Sequence, residues 1–334
     1  MKKSVTGTLK NKTENRLGLD LYRKLYLIRQ AERLIIRHYP EDQMKTPMHM
    51  SMGQEATATA VCHALGPSGQ VFGFYRSHAL FLAMTEDPDR FFGELYGKVT
   101  GSASGRAGSM HLAAPDKGLL CTSAVVASSI PLAVGAAFAN KRNGGGRIAC
   151  AFFGDGALEE GVFWESLNAA SVMRLPVLFV CEDNGLAIHT KQDVRQGFKS
   201  ITEVVRNFEC STFQSDSTDV EILYRLVREA VEAIRSEGRP SFLHLKCYRY
   251  LDHIGIQEDF SLGYRSREEF EEWFKRDPLA LERKRLLAEG ESEASLTELE
   301  RQIDHRLEDG LKRAQAAPFP PSEDLHRGVF YETH

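Results

Sequence analysis

The stretch 147–185, RIACAFFGDGALEEGVFWESLNAASVMRLPVLFVCEDNG, decides the fold. Its two apolar runs, Arg147 to Phe153 and Leu175 to Cys181, are short and bounded by glycine, proline or charge, so each reads as a buried strand. Leu158 to Val172 between them reads as a helix. Strand, helix and strand with short links make a right-handed βαβ unit of a parallel sheet, and open parallel sheets bind ligands at the carboxyl ends of their strands. The residues that follow each strand are therefore the first candidates for chemistry. After the first strand comes Gly154-Asp155-Gly156-Ala157, and after the second Glu182-Asp183-Asn184-Gly185. The two glycines permit a tight turn, and Asp155 offers a hard oxygen at a helix start, whose N-terminus can take a phosphate. A lone Gly-Asp-Gly equally suits an ordinary turn with Asp near an N-cap. Paired with Asp183-Asn184 after 26 further residues, it suits an octahedral Mg2+ site with positions open for a diphosphate.

Outward from this unit, Leu21, Leu25, Ile28, Ile35 and Ile36 recur at helical spacing, which predicts a helix over Leu17 to Arg37. A second helix ends near Leu65, and Gln70 to Tyr75 is strand-like. The stretch from Gly97 to Thr122 is rich in Gly, Ser and Ala without a period, and loops of that length are commonly functional. A helix from about Val220 to Arg235 precedes a strand over Ser241 to Cys247; beyond Arg267 the chain turns charged and helical to Ala316, where Pro318-Phe-Pro-Pro stops it. There is no internal repeat. The expected plan is an arm over 1–16, disordered or extended, one α/β domain over 17–316 and a Pro-rich tail over 317–334. The domain is doubly wound and mainly parallel, with helical N- and C-terminal extensions.

Composition narrows the function classes. At 334 residues, with 42% hydrophobic and 26% charged residues, the chain suits a soluble globular protein. A formal charge of −4 without a basic stripe argues against nucleic acid, and the lack of a long apolar run argues against a membrane. Six cysteines without CxxC or zinc spacing read as reduced core thiols, and no signal-peptide core is present, so a cytoplasmic address is expected.

Several further motifs carry a family resemblance that extends over nearly the whole chain. Residues 49–56, HMSMGQEA, resemble HxxxGQEA, and Tyr75-Arg76-Ser77-His78 resembles YRxH. Gly108-Ser109-Met110-His111 resembles the end of GGSMH, and 154–168 resembles GDGAxxEGxFxEALN. Residues 175–185 resemble LPVIFVCENNG, while Tyr248-Arg249, His253 and Tyr264 to Glu269 resemble YRxxGH followed by YRTREE. Together these resemble the alpha chain of the thiamine-diphosphate-dependent decarboxylase component of 2-oxo-acid dehydrogenases, the group containing the pyruvate, branched-chain and acetoin enzymes.

The resemblance implies a thiamine-diphosphate-binding fold and a subunit that decarboxylates a 2-oxo acid and passes the acyl or hydroxyalkyl group to an acceptor such as lipoamide. It implies that Tyr75 and Arg76 grip the diphosphate, that Gly154, Gly156 and Ala157 line it, and that Val126 packs near the aminopyrimidine. Asp155 and Asn184 by side chain and Leu186 by carbonyl would hold Mg2+. His253 and His78 would face the thiazolium and substrate as catalytic groups, although each also suits a structural imidazole. The carboxylate that activates the cofactor would come from a separate beta chain, in an assembly of two alpha and two beta chains, with a lipoyl-bearing acyltransferase as a further partner. Acyloin-type carboligation, and a non-catalytic assembly subunit, are the alternative expectations. The departures from the family pattern cluster at the pocket. Ala124, Ala127 and Ser129 replace two glycines and a glutamine, Ala79 replaces a glycine, and Asp183 replaces the first Asn of a pair.

Overall fold

The computed structural model of the chain describes the backbone of residues 3–327 and the side chains of 16–327; residues 1–2 and 328–334, which belong to the expected arm and tail, lie outside them. Eight strands form among the described residues, β1 Gln70–Phe74, β2 Leu119–Ser123, β3 Ala149–Gly154, β4 Val177–Asp183, β5 Leu186–Ala187, β6 Thr190–Lys191, β7 Ser211–Ser215 and β8 Ser241–Lys246. Six of them make one sheet in the order β2-β1-β3-β4-β8-β7, parallel throughout, while β5 and β6 form a separate two-residue hairpin.

Eleven helices are found among the described residues. They are α1 Lys3–His38, α2 Glu55–Leu65, α3 His78–Thr85, α4 Pro88–Leu95, α5 Ser129–Asn143, α6 Gly161–Val172, α7 Ile201–Val205, α8 Val220–Glu237, α9 Arg267–Phe274, α10 Pro278–Ala288 and α11 Glu293–Ala316. The α1 helix starts ahead of the expected Leu17 and takes in most of the stretch read as an arm. Polar residues without proline can extend a helix that is anchored by a buried face downstream. The predicted helix from Leu158 begins at Gly161 instead, because Asp155–Glu159 closes as a tight 3-10 turn first. The Gly-rich stretch also contains strand β2 at its end, and the helix α5 that follows carried no clear period in the sequence.

Alternation along the central strands builds a core on each face of the sheet. Cys150 and Phe152 of β3, Leu178 and Val180 of β4, and Leu243 and Leu245 of β8 pack toward α1, α2 and α8. Ala149, Ala151 and Phe153, with Val177, Phe179 and Phe242, pack toward α5, α6 and α7. Strands buried on both faces read as continuous apolar runs, which is why they stood out in the sequence. The α8 helix is cut to length by its ends: the Asp219 side chain accepts from the Glu221 and Ile222 amides, and Gly238 closes it at φ +62°.

A buried charge cluster ties the helical layer together. Arg29 of α1 pairs with Glu55 of α2 at 2.5 Å and with Asp277, the cap of α10, at 2.9 Å; Tyr250 donates to the same Asp277 at 2.9 Å. Ahead of Glu55, Gly53 turns at φ +91° so closely under residues 248–250 that a Cβ would overlap the Tyr248 carbonyl oxygen and the Tyr250 ring. Gly53→Ala is therefore expected to destabilise the chain by at least about 2 kcal/mol, read as a lower urea midpoint at an unchanged m-value.

Candidate functional site

The order of the sheet reverses at β1, which has β2 on one side and β3 on the other. The chain leaves β1 toward β2 but leaves β3 the opposite way toward β4, so a crevice opens beyond the carboxyl ends of β1 and β3. A cavity of about 280 Å³ lies there. Tyr75 and Arg76 reach it from the end of β1, Val126 and Ala127 from beyond β2, and Gly154, Asp155, Gly156 and Ala157 from the end of β3. Asn184 and Leu186 line it from beyond β4, and Arg249 and His253 from beyond β8.

Two buried charged residues line this space, Arg76 and Asp155. Arg76 donates to the Met50 carbonyl oxygen at 2.6 Å and to that of His253 at 3.2 Å, and no carboxylate among the described residues is in ion-pair contact with it. Burial lowers its pKa to about 10, with Arg249 adding to the shift, so it stays a cation near neutral pH. Asp155 is equally buried. Its Oδ2 accepts from Arg195, whereas Oδ1 has no hydrogen-bond partner among the described residues. Burial, with the Asp183 carboxylate adding to it, pushes the Asp155 carboxyl above the usual carboxylate range. An unpaired buried oxygen is costly, and a cation would satisfy it. The Asn184 side-chain oxygen, which accepts from the Leu186 amide at 3.1 Å, belongs to a second residue on the same cavity and is neutral.

Three rings pack together, of which Tyr75 and His253 line the cavity and His49 stands behind them. Tyr75 lies 4.6 Å from His49 and 5.7 Å from His253, and the two imidazoles are 5.2 Å apart, centroid to centroid. Burial, with Arg76 adding to it, lowers His253 to about 4 and His49 to about 3. Both are neutral at pH 7.

His78 is the one expected site residue that does not reach the cavity. It is fully buried at the start of α3, with Nδ1 2.9 Å from Glu32 and Nε2 2.7 Å from Ser109 Oγ. Sequence reasoning also missed Arg195, whose guanidinium binds Glu159 at 2.6 and 2.8 Å beside its contact with Asp155. Nothing in its local sequence distinguishes it; only folding of the 189–197 segment brings it to the β3 turn.

Residues 23–323 match the family model described as the dehydrogenase E1 component. The chain belongs to that family. It is 32% identical over 314 residues to the alpha subunit of acetoin:2,6-dichlorophenolindophenol oxidoreductase from Cupriavidus necator, covering 93% of each chain. To the pyruvate dehydrogenase E1 component subunit alpha of Zymomonas mobilis it is 32% identical over 313 residues, covering 93% of this chain and 88% of the relative.

Against the E1 pattern, two departures acquire a structural meaning. Ala127, where the pattern has glycine, is buried against the cavity at φ +62°. A left-handed alanine costs about 1–2 kcal/mol, so this E1 chain stores strain beside its pocket. Asp183, where the pattern has Asn, accepts from the Gly185 amide at 2.9 Å and lies 2.7 Å from His244 Nε2. Burial works to raise its pKa, yet the His244 contact wins and holds it below the usual range.

Two outcomes are expected. Ala127→Gly, which would ordinarily weaken a chain, should leave stability unchanged or raise it by up to about 1 kcal/mol, as read by chemical denaturation. The protonated imidazoles of His49 and His253 are disfavoured by folding, so the unfolded chain binds more protons below the ordinary value of 6.5. Stability should accordingly fall as pH drops from 6.5 toward 4, and His49→Gln should flatten that dependence of the melting temperature.

Proposed function

We propose that the chain is the alpha subunit of a thiamine-diphosphate- and Mg2+-dependent enzyme that decarboxylates a pyruvate-like 2-oxo acid and passes the product group to an acceptor such as lipoamide. The observation that carries this reading is the pairing of Arg76, a buried cation without a carboxylate, with Asp155, a buried carboxylate with one free oxygen, on a single switch-point cavity. One pole calls for an anion and the other for a cation, which is the charge pattern of a metal diphosphate. The donor set fits: Asp155, Asn184 and the Leu186 carbonyl offer oxygens of the kind Mg2+ takes, and Arg76 suits phosphate oxygens.

When bound, thiamine diphosphate supplies the nucleophilic carbon and the electron sink for decarboxylation. Within this chain, Tyr75 and Arg76 bind the diphosphate, and Gly154, Gly156 and Ala157 allow the backbone to approach it closely. Val126 presents an apolar surface to the aminopyrimidine. His253, neutral at pH 7, accepts or donates a proton at the substrate end, and His49 and Tyr75 wall its ring. His78 positions the loop at Ser109 rather than touching the reacting atoms.

A beta chain completes the site and supplies the activating carboxylate, in an assembly of two chains of each kind that a lipoyl-bearing acyltransferase would serve. Support comes from the rim. Val126 lines the cavity yet is 43% exposed, Val125 beside it is exposed, and so are Leu132 and Phe138 of the α5 helix that follows. Six free thiols suit a reducing cytoplasm, and no helix among the described residues is long and apolar enough to cross a membrane.

The test is titration of the chain assembled with its beta partner, using thiamine diphosphate and Mg2+ in a calorimeter. Binding that a chelator abolishes is expected, with a loss of at least about 100-fold in Asp155→Asn. Unchanged binding in that variant would refute the site. In a dye-linked assay the assembly should consume a 2-oxo acid and the chain alone should not.

A further inference from the structure

The Arg76 guanidinium has no direct counter-charge, yet it is held rigidly. Its NH1 donates to the Met50 carbonyl oxygen at 2.6 Å, and the other end of that same peptide unit, the Ser51 amide, donates to Glu32 Oε1 at 2.6 Å. Glu32 is fully buried on α1. Its Oε1 also lies 2.9 Å from His78 Nδ1, which fixes the carboxylate from a second direction, while Oε2 has no partner. The order is carboxylate, peptide, guanidinium, with the peptide dipole aligned between opposite charges.

We infer that Glu32 is a positioning residue for Arg76, acting through the Met50–Ser51 peptide to hold the guanidinium at the anion pole of the cavity. The inference rests on the proposed diphosphate role of Arg76. A carboxylate placed directly on Arg76 would take its donors and cancel its pull on an anion. One peptide away, it compensates a buried cation, as burial demands, while the remaining guanidinium donors stay free. The motif Met50-Ser51-Met52-Gly53 thus acquires a role that its side chains do not explain: its backbone transmits the hold. Ser51 Oγ adds a further tie by accepting from the Ala79 amide at 3.4 Å, which joins the same peptide to α3, the helix that follows Arg76.

A double-mutant cycle on thiamine diphosphate affinity tests this in the chain assembled with its beta partner, at saturating Mg2+. Glu32→Ala should weaken binding about tenfold when Arg76 is present and less than about twofold in an Arg76→Met background. Glu32→Gln, whose Oε1 still accepts from the Ser51 amide but which carries no charge, should restore part of the affinity lost in Glu32→Ala. If Glu32→Ala does not fold, Glu32→Asp carries the same expectation, since its oxygen cannot reach the peptide without moving α1. Equal losses in both backgrounds, or no loss in either, would overturn the inference and leave the cofactor reading standing. Wild-type affinity in Arg76→Met alone would instead refute the diphosphate role of Arg76, and the inference with it.

Discussion

The parallel pairing of β1 with β3, Val71 opposite Cys150 and Phe72 opposite Ala151, is the constraint on which the functional site depends. These strands lie side by side but are far apart in sequence, with β2 and α5 between them in the chain. Because their continuations diverge, no loop closes over the gap, and the Tyr75-Arg76 and Gly154-Asp155 turns face each other across it. The other residues named on the cavity follow the ends of β2, β4 and β8, so the layered core on both faces of the sheet sets the distances. Loss of register by one residue would turn Phe152 and Phe153 to opposite cores, which fixes the pairing strongly.

Around the crevice the chain carries opposite charges where burial makes them expensive. Asp155 is answered in part by Arg195, and Arg76 by two carbonyl oxygens and, one peptide further, by Glu32. Neither group has all its bonding capacity filled by protein. Folding the chain with such groups is tolerable because the Arg29, Glu55 and Asp277 cluster, fully paired between three helices, anchors the surrounding layer. The contrast separates two uses of buried charge: the helix cluster is closed on itself, and the crevice pair is open toward one space.

How legible this was in the sequence follows from which signals are local. The β3–α6–β4 unit was readable because fully buried strands carry continuous apolar runs with a Gly-Asp-Gly turn and a Glu-Asp-Asn end at the same sheet edge. Tyr75, Arg76 and His253 were readable through motifs whose residues sit close together in the chain. The β7 strand, Ser211–Ser215, was not: at the sheet edge its polar pattern has no apolar run to betray it. His78 looked like a site residue because its motif places it two positions after Arg76, yet the first turn of α3 points its ring at Glu32. Arg195 and Glu32 were invisible for the same reason: each matters through a partner that lies far along the chain, at Asp155 and Ser51.

The departures at 124–129 then take on a consistent physical sense. Ala127 holds a left-handed backbone that glycine would adopt freely, and its methyl group stands at the crevice wall. Retention against a cost of about 1–2 kcal/mol means that neighbouring packing, with Ile130, Ala133 and Phe153 in the same core, overrides local preference. The methyl group narrows the wall beside Val126 and removes backbone freedom there. In this chain, then, the charge poles at Arg76 and Asp155 match the family pattern, whereas the apolar wall between them is rebuilt.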